Sequence, residues 1–313
     1  MTRCLRFVLY PGFQLLDLAG PVAAFEAAND LVADSYRVEL VSLEGGAVFS
    51  SSGLSLISVC LVNTQSLSFD STLLTVGGHG VNAASENSEL LALLRLQAAS
   101  AGRLASICSG TFLFAAAGLL QGKTVTTHWK RSNDFRRRFP EVLLEADRIF
   151  VNDGNFWSSA GISAGIDLAL ALIAADLGEV VARQVARQLV VYYRRPGGQS
   201  QYSALLELSD GQGRFAELLD YIRSHLDQPL TVEDLAARSC MSPRHFSRAF
   251  SAETGCTPAK AVERLRIEAA AAALEKGSAV QTVAKQCGFA GPETLRRAFL
   301  RIRGLPPSAL RRR

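Results

Sequence analysis

Two groups of residues in this chain have the types and spacing to do chemistry: one cysteine at a strand end and two matched stripes of arginine. Cys108 follows the apolar run Leu104 to Ile107 and precedes Ser109-Gly110, so a strand runs into small residues that permit a tight turn. A helix starting there sets its N-terminal dipole against the sulfur, which favours a thiolate. The same cysteine is also compatible with a small buried hydrophobe. Further along, Phe246, Ala249 and Phe250 mark an apolar face and leave Arg244, Ser247 and Arg248 on the other at i, i+3, i+4 spacing. Leu295, Ala298 and Phe299 do the same and leave Glu293, Arg296 and Arg297. Arginine forks match guanine edges and phosphates, the chemistry a helix in the major groove needs.

The stripes belong to an internal repeat. Phe246-Ser247-Arg248-Ala249-Phe250 with Gly255 and Pro258 recurs as Leu295-Arg296-Arg297-Ala298-Phe299 with Gly304 and Pro307, shifted by 49, while Leu235-Ala236 matches Val283-Ala284 at a shift of 48. Two copies of helix, turn, helix are therefore expected, with caps at Thr231, Ser242 and Thr257. A solvated charged face explains one arginine stripe; it does not explain a repeated turn with matching arginines.

The elements around Cys108 have a different rhythm. Apolar runs at Leu5 to Leu9, Arg37 to Leu43, Leu73 to Val76 and Leu104 to Ile107 alternate with helical patterns at Ala19 to Asn29, Glu89 to Ala101 and Phe112 to Ala117, and a long amphipathic stretch covers Gly165 to Tyr193. This predicts an α/β doubly wound parallel sheet in one domain of about 190 residues. The run Arg194-Arg195-Pro196-Gly197-Gly198-Gln199-Ser200-Gln201 breaks the pattern. The expected organisation is a domain over 1–195, a linker over 196–213 with Gly197-Gly198 as a flexible joint, and an all-α domain over 214–313.

Composition agrees with this division. The 313 residues are 48% hydrophobic and 20% charged, ordinary for a globular chain. From Phe215 onward there are sixteen Lys/Arg and ten Asp/Glu, a net of +6, so the remainder carries −2 of the overall +4. A basic C-terminal third suits a polyanionic partner. Cys4, Cys60, Cys108, Cys240, Cys256 and Cys287 form no CxxC pair and do not cluster with histidine, so they are expected as reduced thiols with no metal. The run Phe7 to Tyr10 is too short for a signal-peptide core, and no stretch has the length of a membrane span, so a cytoplasmic location and no membrane partner are expected.

Residues 220 to 310 resemble the DNA-binding domain of the AraC/XylS family through Leu235-Ala236, Met241-Ser242-Pro243, Phe246 to Phe250, the helix from Pro258 through Arg264-Leu265-Arg266, Gly288-Phe289, Leu295 and Phe299. The resemblance implies two recognition helices in successive major-groove segments of one DNA face. Ala270 to Ala273 depart from it, since that helix usually carries bulkier or basic residues there.

Residues 1 to 195 resemble the flavodoxin-like ThiJ/PfpI branch of the glutamine-amidotransferase-like superfamily through Tyr10-Pro11-Gly12 with Asp17, Gly77-Gly78, Ser106-Ile107-Cys108-Ser109-Gly110 and Thr126-Thr127-His128-Trp129. This resemblance implies that Cys108 sits on a nucleophile elbow, that Asp17 is the neighbouring carboxylate, that Gly78 belongs to a backbone anion-binding turn and that His128 is the histidine after the elbow helix. Two readings follow for Asp17, Gly78, Cys108, Ser109 and His128. They form either a pocket for a small-molecule effector, or the site of a hydrolase or hydratase like isonitrile hydratase, with Cys108 as nucleophile, Asp17 or His128 as proton carrier and N–H groups near Gly78 and Ser109 as oxyanion donors. His79 is a weaker pocket candidate, and Arg311-Arg312-Arg313 a weaker phosphate contact.

Chains pairing this α/β domain with AraC-type repeats resemble regulators of amino-acid, betaine, carnitine or polyamine catabolism, and Trp157 to Asp167 with Arg195 to Gln201 fits that subgroup. The implied protein is a dimeric transcriptional regulator, an activator, without catalytic turnover. Its implied partners are promoter DNA, a small effector and RNA polymerase, and no cofactor is expected.

Overall fold

The computed structural model describes residues 2–193, 214–254, 256–275, 277–303 and 306–310. The chain divides into two compact units, Met1–Arg195 and Pro196–Arg313. The proposed linker, the repeat glycines Gly255 and Gly304 and the terminal arginines Arg311, Arg312 and Arg313 lie outside the described residues.

The first unit is built on an eight-stranded sheet in the order β3-β4-β2-β1-β5-β6-β10-β9, with β1 Arg3–Val8, β2 Tyr36–Ser42, β3 Gly46–Phe49, β4 Ser55–Cys60, β5 Thr72–Thr75, β6 Arg103–Ile107, β9 Phe150–Asp153 and β10 Phe156–Ser159. A separate parallel pair joins β7 (Thr124–Val125) to β8 (Leu143–Leu144). The six inner strands of the sheet run parallel, and only β3 and β9 at its edges are antiparallel. Every residue of β5 is buried, as a strand covered on both faces requires. The edge hairpins β3–β4 and β9–β10 were not among the runs expected, because short, half-exposed strands carry little apolar signal.

Two helical groups cover the sheet, and the reversal of winding at β1 puts one on each face. α1 (Leu15–Leu31) packs with α6 (Ala164–Leu177) and α7 (Glu179–Gln188); α2 (Val81–Glu86) packs with α3 (Ser88–Ser100) and α4 (Thr111–Ala116). The remaining α-helix among the unit's described residues is α5 (Ser132–Arg138). α1 starts four residues before the expected Ala19, which carries Asp17 into its first turn. The stretch expected as one amphipathic run from Gly165 to Tyr193 is two helices, broken at Gly178, where φ is +91°. α1 and α6 approach closely at Gly20, where an added Cβ would lie 2.9 Å from Ile166 Cγ1, and at Gly165, where it would lie 3.1 Å from Pro21 Cγ. That approach brings the start of α6 beside the start of α1.

The second unit is helical throughout its described residues: α8 Ala216–Ser224, α9 Val232–Arg238, α10 Pro243–Thr254, α11 Pro258–Glu275, α12 Val280–Gln286 and α13 Pro292–Arg303. It has two hydrophobic clusters. Leu235, Phe246 and Phe250 pack with Val262 and Leu265 from the first half of α11; Val283, Leu295 and Phe299 pack with Ile267, Ala270, Ala271 and Leu274 from its second half. One helix thus serves both copies of the repeat. Ala270 and Ala271, where the family pattern suggested bulk, are core residues at 0% and 3% exposure. The caps are where the sequence puts them: Thr231 Oγ1 accepts from the Asp234 N–H at 3.1 Å, Ser242 Oγ from His245 and Thr257 Oγ1 from Lys260, each at 3.4 Å.

Candidate functional site

β6 ends at Ile107, and Cys108 takes a left-handed conformation with φ +59° before α4 begins. This conformation is strained for a residue with a side chain and persists only where the surroundings enforce it. Three hydrogen bonds do so here: the Cys108 N–H donates to Ala160 O at 3.1 Å, and Cys108 O accepts from Thr127 Oγ1 at 2.8 Å and Thr111 Oγ1 at 3.3 Å. Gly77 completes the cradle. A Cβ there would lie 2.7 Å from Asp17 Oδ2, from Cys108 Cβ and from Ser109 N.

Asp17 is fully buried on α1, and its Oδ2 accepts the Gly77 N–H at 2.9 Å. Its Oδ1 is buried without a well-formed hydrogen bond among the described residues. Burial pushes the carboxyl up to about 7; the Gly77 N–H, the Cys108 thiol and the Ile162 N–H offset only part of that. Burial and the nearby Asp17 charge push the Cys108 thiol well above its ordinary value, against the opposing pull of the Ser109 and Ile162 N–H groups. Desolvation thus works against the thiolate. It opposes the helix N-terminus expected to favour one.

His128 reaches this region from another direction. Its ring lies against Gly161, where an added Cβ would come within 1.8 Å of Cδ2. Nδ1 accepts from the Lys130 N–H at 3.2 Å, and burial, with Lys130 and Arg131 nearby, lowers the imidazole to about 4. Among the described residues no hydrogen bond joins it to the thiol. Gly78 is at φ +149°, and its N–H donates to Ser109 Oγ at 3.2 Å, so in this state it does not stand open for an oxyanion. Asp17, Gly77, Gly78, Cys108 and Ser109 thus meet at one point, while His128 borders it through Gly161. His79 is exposed.

The second unit presents the two arginine stripes. Arg244 and Arg248 of α10 are exposed and Ser247 is half-buried; Glu293, Arg296 and Arg297 of α13 are exposed. Phe246, Phe250, Leu295 and Phe299 beneath them are fully buried, so the faces are held by the cores and not by each other. The turn ahead of each stripe is built alike. Cys240 at φ +54° and Gly288 at φ +69° end α9 and α12 in the left-handed conformation, and Met241 N–H to Ala236 O (2.9 Å) repeats as Phe289 N–H to Ala284 O (2.8 Å).

A model described as a helix-turn-helix domain matches residues 235–313, and one of the DJ-1/PfpI family matches residues 4–175, more than half of the chain. The HTH-type transcriptional regulator CdhR of Pseudomonas aeruginosa is 30% identical over 304 residues, 96% of this chain and 88% of CdhR. The chain belongs to the AraC-type helix-turn-helix regulators with a DJ-1/PfpI domain. A ThiJ/PfpI family protein from Pseudomonas syringae is similar in structure, with a TM-score of 0.57 and 26% identity, covering 71% of this chain and 87% of that one. Isonitrile hydratase of Pseudomonas putida is 36% identical over 189 residues, 60% of this chain and 78% of the enzyme. The protein is thus a DNA-binding transcriptional regulator, and α10 and α13 lie within its matched helix-turn-helix region.

Two residues beside Cys108 and Asp17 were quoted from the sequence only within longer motifs and not as site residues. Ile162, at φ +52°, brings a second N–H to bear on Cys108 and Asp17. A β-branched residue gives no sequence signal for a left-handed turn. Tyr10 stands beside Cys108 and Asp17, buried, with its hydroxyl donating to Val76 O at 2.8 Å. No described helix is long and apolar enough to cross a membrane.

Proposed function

We propose that the regulator binds a small molecule at Asp17, Cys108, Ser109 and their neighbours, and that this binding controls a promoter-bound, activating state without chemical turnover. The observation that carries the reading is a buried carboxylate oxygen, Asp17 Oδ1, that lies beside the Cys108 thiol without a well-formed hydrogen bond. A hydrolase using His128 as its base needs that ring on the sulfur, and among the described residues His128 Nδ1 accepts from the Lys130 N–H instead. A receptor needs polar groups waiting for a ligand. A separate cavity of about 380 Å³ at the carboxyl ends of β1 and β2 is lined by Tyr10, Pro11, Phe49 and Gly80 and includes none of Asp17, Cys108 or Ser109.

In this reading residues 1–195 sense the ligand and dimerise, 196–213 link, and 214–313 bind DNA in the cytoplasm through Arg244, Ser247, Arg248, Glu293, Arg296 and Arg297. The effector is an amino acid, a betaine-type amine or a polyamine, and the bound dimer contacts RNA polymerase. The test is a panel of such compounds in thermal unfolding of the full chain, beside a product assay on amides, isonitriles and peptides. Stabilisation by a panel member without product supports the receptor. The likeness to isonitrile hydratase favours the second reading, a cysteine-dependent hydrolase or hydratase using Cys108, Asp17 and His128; multiple turnover that vanishes in Cys108→Ala would establish it.

A further inference from the structure

The two DNA-facing surfaces differ at one corner. The shift of 49 sets Arg244 against Glu293, His245 against Thr294, Ser247 against Arg296 and Arg248 against Arg297. Only the first of these pairs reverses charge. Glu293 stands exposed in the first turn of α13; its Oε2 accepts from Arg296 Nε at 3.0 Å, its Oε1 from Arg296 Nη2 at 3.5 Å, and Arg297 Nε lies 4.0 Å from Oε1. The two guanidiniums hold its carboxyl below the usual range.

A carboxylate on a surface that meets a polyanion costs affinity, so its presence there calls for a compensating role. Stability does not supply one, because an exposed ion pair contributes little. Helix-dipole complementarity does not supply one either, since the equivalent turn of α10 carries Arg244. What Glu293 does is hold the Arg296 fork. With Nε–H and one Nη2–H engaged, three N–H donors remain, enough to read the O6/N7 edge of a guanine in fixed orientation. The carboxylate also repels phosphate and can accept from a cytosine amino group.

We propose that Glu293 is the specificity-determining residue of the second recognition helix. It positions Arg296 on a base edge and turns the end of α13 away from the phosphate backbone. The first helix, with Arg244 at the same corner, carries more of the sequence-independent attraction. This rests on the reading that both faces meet DNA.

The test uses the full chain on a pool of randomised duplex DNA, with sequencing of the bound fraction, and a salt titration on one arbitrary duplex. Glu293→Gln keeps the side-chain length. It should flatten the base preference in one half of the selected motif by roughly tenfold, and raise affinity for the arbitrary duplex with a salt slope steeper by up to about one. Arg244→Gln should do the reverse: weaker binding to the arbitrary duplex and a shallower slope, with base preference kept. Glu293→Asp should keep part of the preference. A Glu293→Gln motif identical to the wild-type motif, or a uniform loss of binding with the preference intact, overturns the proposal. Failure of the wild type to bind either DNA overturns the DNA reading itself, a separate result.

Discussion

The Asp17 carboxylate and the Gly77 N–H meet at 2.9 Å inside the first unit, and that bond is too little to keep the carboxyl ionised at its ordinary pH. A carboxyl whose folded value is about 7 and whose unfolded value is 3.8 leaves stability intact below 3.8 and withdraws it as pH rises toward 7. Asp17→Asn removes that loss and keeps an oxygen for Gly77. The variant should match the wild type near pH 4 and exceed it above pH 7, by up to about 4 kcal/mol. His128, lowered to about 4, acts in the opposite sense between 4 and 6.5, so the difference between the two proteins is the quantity to measure. Denaturant unfolding across pH checks it, and an Asp17→Asn variant less stable at pH 8 contradicts it.

Cys240 and Gly288 fill the same left-handed turn with opposite suitability. Cys240→Gly should stabilise the first helix-turn-helix copy by about 0.5–1 kcal/mol, because glycine adopts that conformation without a steric cost. Gly288→Ala should destabilise the second by roughly 2 kcal/mol or more, since its Cβ would lie 2.1 Å from Leu226 O, a carbonyl already bonded to Arg266 Nε at 3.0 Å. Hydrogen exchange of α9 and α12 in the full chain reads both changes. Equal effects at the two turns would contradict the geometry.

The arginines of the two faces should separate by role. Replacing Arg248 or Arg297 by Ala is expected to cost roughly 1–3 kcal/mol of DNA binding and to loosen preference at one base position. A loss spread evenly over all sequences would mark that arginine as a phosphate contact. Binding to a randomised pool, read by sequencing, distinguishes the two.

Gly161 keeps room for the His128 ring. Gly161→Ala forces a Cβ within 1.8 Å of Cδ2, so the imidazole must move toward solvent and its pKa must rise from about 4 toward the ordinary 6.5. An imidazole NMR titration measures that rise. An unmoved titration would show that burial beside Gly161 is not what lowers it.

These relationships were unequally legible in the amino-acid sequence. Leu104 to Ile107 followed by Ser109-Gly110 announced the turn at Cys108, and the repeat announced both helix-turn-helix copies, because each rests on local residue type and spacing. Asp17 and Gly77 were placed beside Cys108 by family likeness alone; their joining depends on α1, β5 and β6 converging from distant parts of the chain. The left-handed Ile162 and Cys240 left no trace, since neither type favours that conformation and tertiary contacts impose it. The burial of the thiol was equally invisible: a helix N-terminus can be read from sequence, and the desolvation that works against it cannot.

The central claim, that the second unit binds DNA through its two basic faces, is tested most directly by the salt dependence of binding by the full chain to duplex DNA from its own upstream region. Each phosphate contact releases counterions, so the logarithm of the binding constant should fall steeply and linearly with the logarithm of salt concentration, and the slope should become shallower by about one when Arg244 is replaced by Gln. An affinity unchanged between 50 and 200 mM salt, or a slope indifferent to Arg244, would contradict the claim.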